Sequence, residues 1–369
     1  MLELVQEPKY LAKIKMVGVG GAGCNTINYA HGFGIEGVEC IAANTDAQVL
    51  KLSMAPEKLQ IGQNLTQGLG AGGDPEIGRK AAEESREWVR DVLKDADMVF
   101  ITCGEGGGTG TGASPVIAEE AKKAGALVVA IVTTPFDYEG VWRMSNADKG
   151  IEDLREHVDT LIVIPNQKLV SLASKEQTIV ESFRFGNMVL FNALKGVAEM
   201  ITKPGLINLD FADIRTIMIE KGTAVIGLGI AEGENRSIQA AQQAIASPLL
   251  DDVSIKGARG LLINISGGED LTLAETNEAA SLIVGEAAGE PKVITGVVVD
   301  ETLGNKVKVM VVATGIHEKL RDEVIDMATK RENLDFPTFK RREIKKESKG
   351  SIINDNDLEV PTFLRRQID

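Results

Sequence analysis

The stretch DMVFITCGEGGGTGTGASPVIAEEAKK, residues 97–123, sets the fold. Met98 to Cys103 is an unbroken apolar run of the kind that makes a strand buried on both faces. Pro115 to Lys123 carries helical spacing. The turn between them, Gly104-Glu105-Gly106-Gly107-Gly108-Thr109-Gly110-Thr111-Gly112, therefore follows a strand and opens a helix. Bare glycine amides and the helix dipole suit an anionic phosphate there, with the Thr109 and Thr111 hydroxyls as further donors or as ligands in a metal's shell.

Upstream, Gly18-Val19-Gly20-Gly21-Ala22-Gly23-Cys24-Asn25 is a second turn of the same design, a G-x-G-x-x-G motif after the run IKMVGVG. Alone it fits an NAD or FAD oxidoreductase equally well, and Asp46 stands where a ribose-binding carboxylate would. A dinucleotide fold leaves the second glycine loop idle. Two such loops on the carboxyl edge of one sheet can surround a triphosphate from two sides. Further apolar runs, VECIAAN, ALVVAIVTT and TLIVIP, alternate with helical segments such as Glu76 to Leu93. Repeated βα units of this kind predict a doubly wound parallel sheet from Lys13 to about Pro165.

Further along, TIVESFRFGNMVLFNALKGVAEMIT keeps apolar residues three and four apart and stops at Lys203-Pro204-Gly205, which predicts a long connecting helix. The runs AVIGLGIAEG, GLLINISGG, VITGVVVD and KVKVMVVATG, with helical segments Ser237 to Ala246 and Leu273 to Ala288, predict a smaller mixed sheet with helices. The short turn at Gly304-Asn305 predicts that the last two strands pair antiparallel. Beyond Met327 charges crowd out aliphatics, as in a flexible linker, until the apolar and basic end LEVPTFLRRQID, which has the character of a partner-binding peptide. Phe336-Pro337-Thr338-Phe339 echoes Val360-Pro361-Thr362-Phe363, a candidate duplicated docking peptide over residues 335–343.

The formal net charge of -14 and pI near 4.9 exclude the broad basic surface that binds nucleic acid. Cys24, Cys40 and Cys103 lack CxxC spacing and read as reduced thiols, and His31, His157 and His317 stand apart from other ligands, so no protein-held metal site is expected. No run approaches the ~20 apolar residues of a membrane span, and the first residues do not read as a secretion signal, so a soluble cytoplasmic protein is expected.

The string GGGTGTG, residues 106–112, resembles the signature of the tubulin/FtsZ family of polymerising GTPases, with the second threonine typical of its bacterial members. The resemblance runs over essentially the whole chain. It implies a GTP-binding domain over 13–176 after an extension at 1–12, a connecting helix over 177–204, and a second domain over 205–318. A flexible linker over 319–355 and a partner-binding peptide over 356–369 complete it. GTP and GDP, with Mg2+, are the implied ligands. Gly20, Gly21, Ala22, Gly23, Cys24 and Asn25, with Gly104, Gly107, Gly108, Thr109 and Gly110, would hold the phosphates. Ala71-Gly72-Gly73 would report the γ-phosphate. Pro135, Glu139 and Arg143 would meet the ribose and phosphate side, and Asn166 and Phe183 would edge and stack on the guanine. Asn187, in the segment GNMVL, falls where most relatives carry an aspartate reading the guanine edge.

Asn208-Leu209-Asp210-Phe211-Ala212-Asp213 has two readings. By spacing alone Asp210 caps a helix and Asp213 completes a capping box. By resemblance Asp210, Asp213 and Asn208 form the catalytic loop that positions water on the γ-phosphate of the next subunit in a head-to-tail filament. Residues 357–367 resemble the tail by which the family's division branch docks on membrane-tether and regulatory proteins. The implied setting is the cytoplasmic mid-cell ring on the inner face of the membrane, reached only through those partners.

Overall fold

The computed structural model describes residues 12–168, 178–202, 210–220, 222–247 and 255–316. Expectations for the N-terminal extension, Asn208, the linker, the 335–343 echo and the terminal peptide lie outside the described residues, as does the side chain of Phe183.

The strands are β1 (Ile14–Val19), β2 (Val38–Asn44), β3 (Glu57–Gln60), β4 (Met98–Gly104), β5 (Leu127–Thr134), β6 (Thr160–Pro165), β7 (Thr223–Glu232), β8 (Gly260–Gly267), β9 (Lys292–Val299) and β10 (Lys306–Ile316). The helices are α1 (Gly20–Phe33), α2 (Ala47–Leu52), α3 (Gln63–Thr66), α4 (Pro75–Glu84), α5 (Arg86–Leu93), α6 (Thr109–Lys123), α7 (Val141–His157), α8 (Ile179–Thr202), α9 (Phe211–Met218), α10 (Arg236–Ile245) and α11 (Leu273–Ala287).

The strands line up as β3-β2-β1-β4-β5-β6-β7-β10-β8-β9. The first six are parallel, as the βα alternation predicts. Their apolar runs are continuous because both faces are covered. In β4, Met98 and Phe100 enter one core with Ile27 of α1 and Leu194 of α8, while Val99, Ile101 and Cys103 enter another with Val116 and Ile117 of α6 and Leu154 of α7. The predicted doubly wound sheet is present.

The second sheet begins at β7, which meets β6 through the one residue pair Ile162 and Ala224. The core under α8 runs on past this junction to Ile226, Leu262 and Val312, so the helix packs on both sheets. A third core lies on the opposite face, between the second sheet and α10 and α11.

The predicted hairpin between β9 and β10 does not form. β10 pairs antiparallel with both β7 and β8, while β9 pairs parallel with β8. The connection through the 3-10 turn Glu301–Leu303 crosses the end of β8, where the Asp300 N–H donates to the Gly267 carbonyl at 2.8 Å. The chain does reverse there, but β8 fills the slot between the two strands because every one of its side chains is buried.

Candidate nucleotide site

The turns after β1 and β4 each end in a helix whose N-cap, Val19 for α1 and Gly108 for α6, makes no side-chain cap bond. Neither helix has an acidic residue in its first turn. A helix start leaves about four backbone N–H groups without intrahelical partners, and a side chain or an anion normally takes them. Here two uncapped starts converge. Gly20 has φ +72°, which only glycine adopts without strain, and a Cβ on it would lie 2.9 Å from the Gly110 nitrogen, so the two turns touch.

Between them lies a cavity of about 480 Å³, a size typical of small-molecule sites. It brings together Gly21, Ala22, Asn25, Gly104, Gly107, Gly108, Thr109 and Gly110 from the two turns, with Pro135, Glu139, Arg143, Asn166 and Asn187. Arg143 donates to Glu139 at 2.5 Å, and the Phe136 N–H donates to the other Glu139 oxygen at 3.0 Å. The cavity end formed by Asn166 and Asn187 presents amides.

Other expected site residues stand behind this wall. Gly20 and Gly23 are buried beneath the first turn, and Cys24 is a core thiol, taking a bond from Asn44 and pushed up to about 11 by burial. Ala71, Gly72 and Gly73 do not line the cavity but back it, since a Cβ on Gly108 would lie 2.8 Å from that of Ala71. Thr111 is not available to a metal: its buried hydroxyl accepts from the Gly106 N–H at 2.8 Å, inside the loop. The Thr109 hydroxyl shares a 2.7 Å bond with that of Thr45.

Sequence reasoning missed Glu105, Gly186 and Leu190 as cavity residues. Gly186 and Leu190 flank Asn187 on α8, and helical spacing could have found them.

Asp210 and Asp213 are elsewhere. Asp210 is the N-cap of α9 yet its side chain makes no cap bond, and both residues are exposed, so the capping-box reading fails. The other end of α9 is held at the amino-terminal edge of the sheet, where the Thr160 hydroxyl, at the first residue of β6, donates to the Met218 carbonyl. The cavity lies on the carboxyl-terminal edge.

Comparison with known proteins is decisive. The model of the Tubulin/FtsZ family GTPase domain matches residues 13–174, and that of the FtsZ family C-terminal domain matches 222–317. The chain is 43% identical to the cell division protein FtsZ of Coxiella burnetii, over 99% of both chains. It belongs to the tubulin/FtsZ family. Among solved structures, an FtsZ dimer of M. jannaschii shares 48% identity with a TM-score of 0.81, covering 85% of this chain and 90% of that one. CetZ2 from Haloferax volcanii, solved as a protofilament with GTPgS, shares 21% identity at a TM-score of 0.70 over 86% of this chain and 99% of that one, a likeness of fold.

As a member of the tubulin/FtsZ family, the chain is a tubulin-like cell-division GTPase that takes guanine nucleotide. The oxidoreductase alternative has no support among the relatives, and Asp46, its ribose carboxylate, caps α2 by accepting from the Gln48 and Val49 N–H groups. Among the described residues no helix is long and apolar enough to cross a membrane.

Proposed function

We propose that GTP is hydrolysed where one copy stacks head to tail on the next, so that filament growth and catalysis are one event. The observation that carries this reading is the separation of the two halves of the site. Cavity residues Gly104, Pro135 and Asn166 sit at or just beyond the carboxyl ends of β4, β5 and β6, whereas α9, bearing Asp213, is tied to the opposite edge. From Asn187 to the end of α8 at Thr202 the chain climbs ~22 Å away from the cavity. A carboxylate on a helix tied to the opposite edge cannot orient water on its own nucleotide. A neighbour stacked along the same direction could, and such a heterologous contact repeats into a filament.

In this reading Gly20 to Asn25, with Gly104 and Gly107 to Gly110, cradle the phosphates, and Ala71-Gly72-Gly73, packed behind Gly108, responds to the γ-phosphate. Pro135, Glu139 and Arg143 hold the ribose side, and Asn166, Phe183 and Asn187 receive the base. Asp210, Asp213 and Asn208 of the neighbour position the attacking water, which is what a loose phosphoryl-transfer transition state needs from a protein. Magnesium arrives as part of the substrate, MgGTP. Among the described residues no His, Cys, Asp or Glu cluster would hold it alone, and this ion habitually takes phosphate oxygens and water. Residues 13–176, 177–204 and 205–318 act as nucleotide domain, connecting helix and catalytic-loop domain. Residues 357–367 dock on tether and regulatory proteins that bring the filament to the inner face of the membrane.

The test is phosphate release from GTP against protein concentration, with light scattering recorded in parallel and Asp213→Ala beside the wild type. Specific activity should rise cooperatively with concentration, while the variant assembles and hydrolyses little. Activity per molecule that stays constant with concentration would refute the shared site.

A further inference from the structure

Glu105 is the one ionisable residue of the GEGGGTGTG turn, and the proposed mechanism leaves it unused. It lines the nucleotide cavity, yet its carboxyl is 4% exposed. Oε1 lies 3.2 Å from the Cys103 thiol, which donates to it, and Oε2 has no hydrogen-bond partner. Room for this carboxyl comes from α7, where a Cβ on Gly150 would come within 2.4 Å of Oε2.

We propose that Glu105 is a proton-carrying positioning residue, a neutral carboxylic acid beneath the phosphate loop whenever nucleotide is bound. This rests on the reading of the cavity as the nucleotide site. A buried carboxylate with an orphan oxygen is costly, and the charge of a polyphosphate in the adjoining cavity adds to that cost. Protonation removes the charge and turns Oε2 into a donor at the cavity wall. The surroundings agree. Burial pushes the acid up to about 7, Asp153 on α7 adds to the rise, and the Cys103 thiol from β4 and the Thr111 hydroxyl from α6 oppose it. Thr111 makes no bond of good geometry to Oε2, so desolvation prevails. Of the nearby cations, Arg79 of α4 pairs with Asp153, which also faces His157, and Arg143 pairs with Glu139. Nucleotide charge raises the acid further, so binding takes up a proton, and affinity falls as pH rises above the free protein's value.

The experiment is calorimetry of GDP binding to the full chain at pH 6.5 to 8.5, in buffers of different ionisation enthalpy, for wild type and Glu105→Gln. The glutamine keeps the shape and cannot ionise. Wild type should take up more protons than the variant, the difference growing toward one above pH 7, with affinity falling by up to about tenfold per pH unit relative to the variant. Saturable binding with equal proton uptake in both overturns the proposal and leaves the nucleotide site standing. No GDP binding by wild type overturns both. If the variant fails to fold, the infrared difference spectrum of wild type on GDP binding decides: a gained protonated-carboxyl band supports the proposal, and its absence overturns it.

Discussion

Thr160 and Met218 are joined by a hydrogen bond that ties the end of α9 to the first residue of β6, and β6 ends at Pro165, next to Asn166 of the cavity wall. The six residues of that strand therefore separate the end of α9 from the cavity by ~16 Å or more, across the width of the sheet. Each copy has a nucleotide edge and a carboxylate edge facing opposite ways.

Two inactive variants should therefore rescue each other. Gly21→Asp places a carboxylate among the amides proposed to bind phosphate, and a Cβ at Gly21 meets nothing within 4 Å, so the fold is kept. It lacks nucleotide but has the Asp213 edge, while Asp213→Ala has the reverse. In an equal mixture about a quarter of head-to-tail contacts pair an intact cavity with an intact loop, so activity should return to about a quarter of wild type. Phosphate release with co-sedimentation checks this, and a mixture that co-sediments but stays inactive rules out sharing.

Asn187 should make guanine recognition weaker than a carboxylate would. An amide offers one acceptor oxygen and one donor group to the N1 and N2 edge of guanine, where a carboxylate accepts from both. Wild type should discriminate poorly between GTP and ITP, which lacks the 2-amino group. Asn187→Asp should widen the ratio of kcat/KM values about tenfold in favour of GTP. An unchanged ratio would place the base elsewhere in the cavity.

How far the sequence foretold this depended on whether the cause was local. The β4 run is legible because two-sided burial makes nearly every position apolar, Thr102 excepted, and the glycine turns because phosphate loops need bare amides. The partner of β10 was not legible. The turn at Gly304-Asn305 reveals a reversal, but nothing in it says that β8, some 40 residues earlier, inserts between the strands. The burial of Glu105 was not legible either. A charged residue among glycines reads as solvent-exposed, and the room that buries it is made by Gly150 on α7. The separation of Asp213 from the cavity depends on which sheet edge anchors α9, which is a tertiary property as well.

Gly112 should tolerate no side chain. A Cβ there would sit 1.9 Å from the Pro75 carbonyl oxygen and 2.6 Å from the Arg79 nitrogen, both backbone atoms of α4. Relief requires α4 and α6 to part, and α4 follows the Ala71-Gly72-Gly73 turn behind Gly108. Gly112→Ala should cost about 3 kcal/mol in urea unfolding and weaken nucleotide binding with it. A loss of stability under about 0.5 kcal/mol would mean that the helices are less closely held than described.

Arg236 makes stability acid-sensitive in the second sheet's domain. Its side chain is buried and donates to Glu275 at 2.7 Å, to Asp270 at 2.6 Å and to the Asn305 carbonyl at 2.9 Å, tying the start of α10 to α11 and to the turn before β10. Glu275 also completes a capping box with Thr272. Arg236 first, and then the Thr272 cap, hold the Glu275 carboxyl down at about 2, against an ordinary value of 4.5. A depressed folded value means that the unfolded chain binds the proton more readily. The contribution is therefore complete above pH 4.5 and drains away as pH falls toward 2. Glu275→Gln should cost about 2 kcal/mol at pH 7, because it leaves a buried guanidinium short of one partner. The gap between wild type and variant in urea midpoint should narrow steadily below pH 4.5 and close near 2. A gap that stays constant down that range would assign the loss to the altered cap instead of the ion pair.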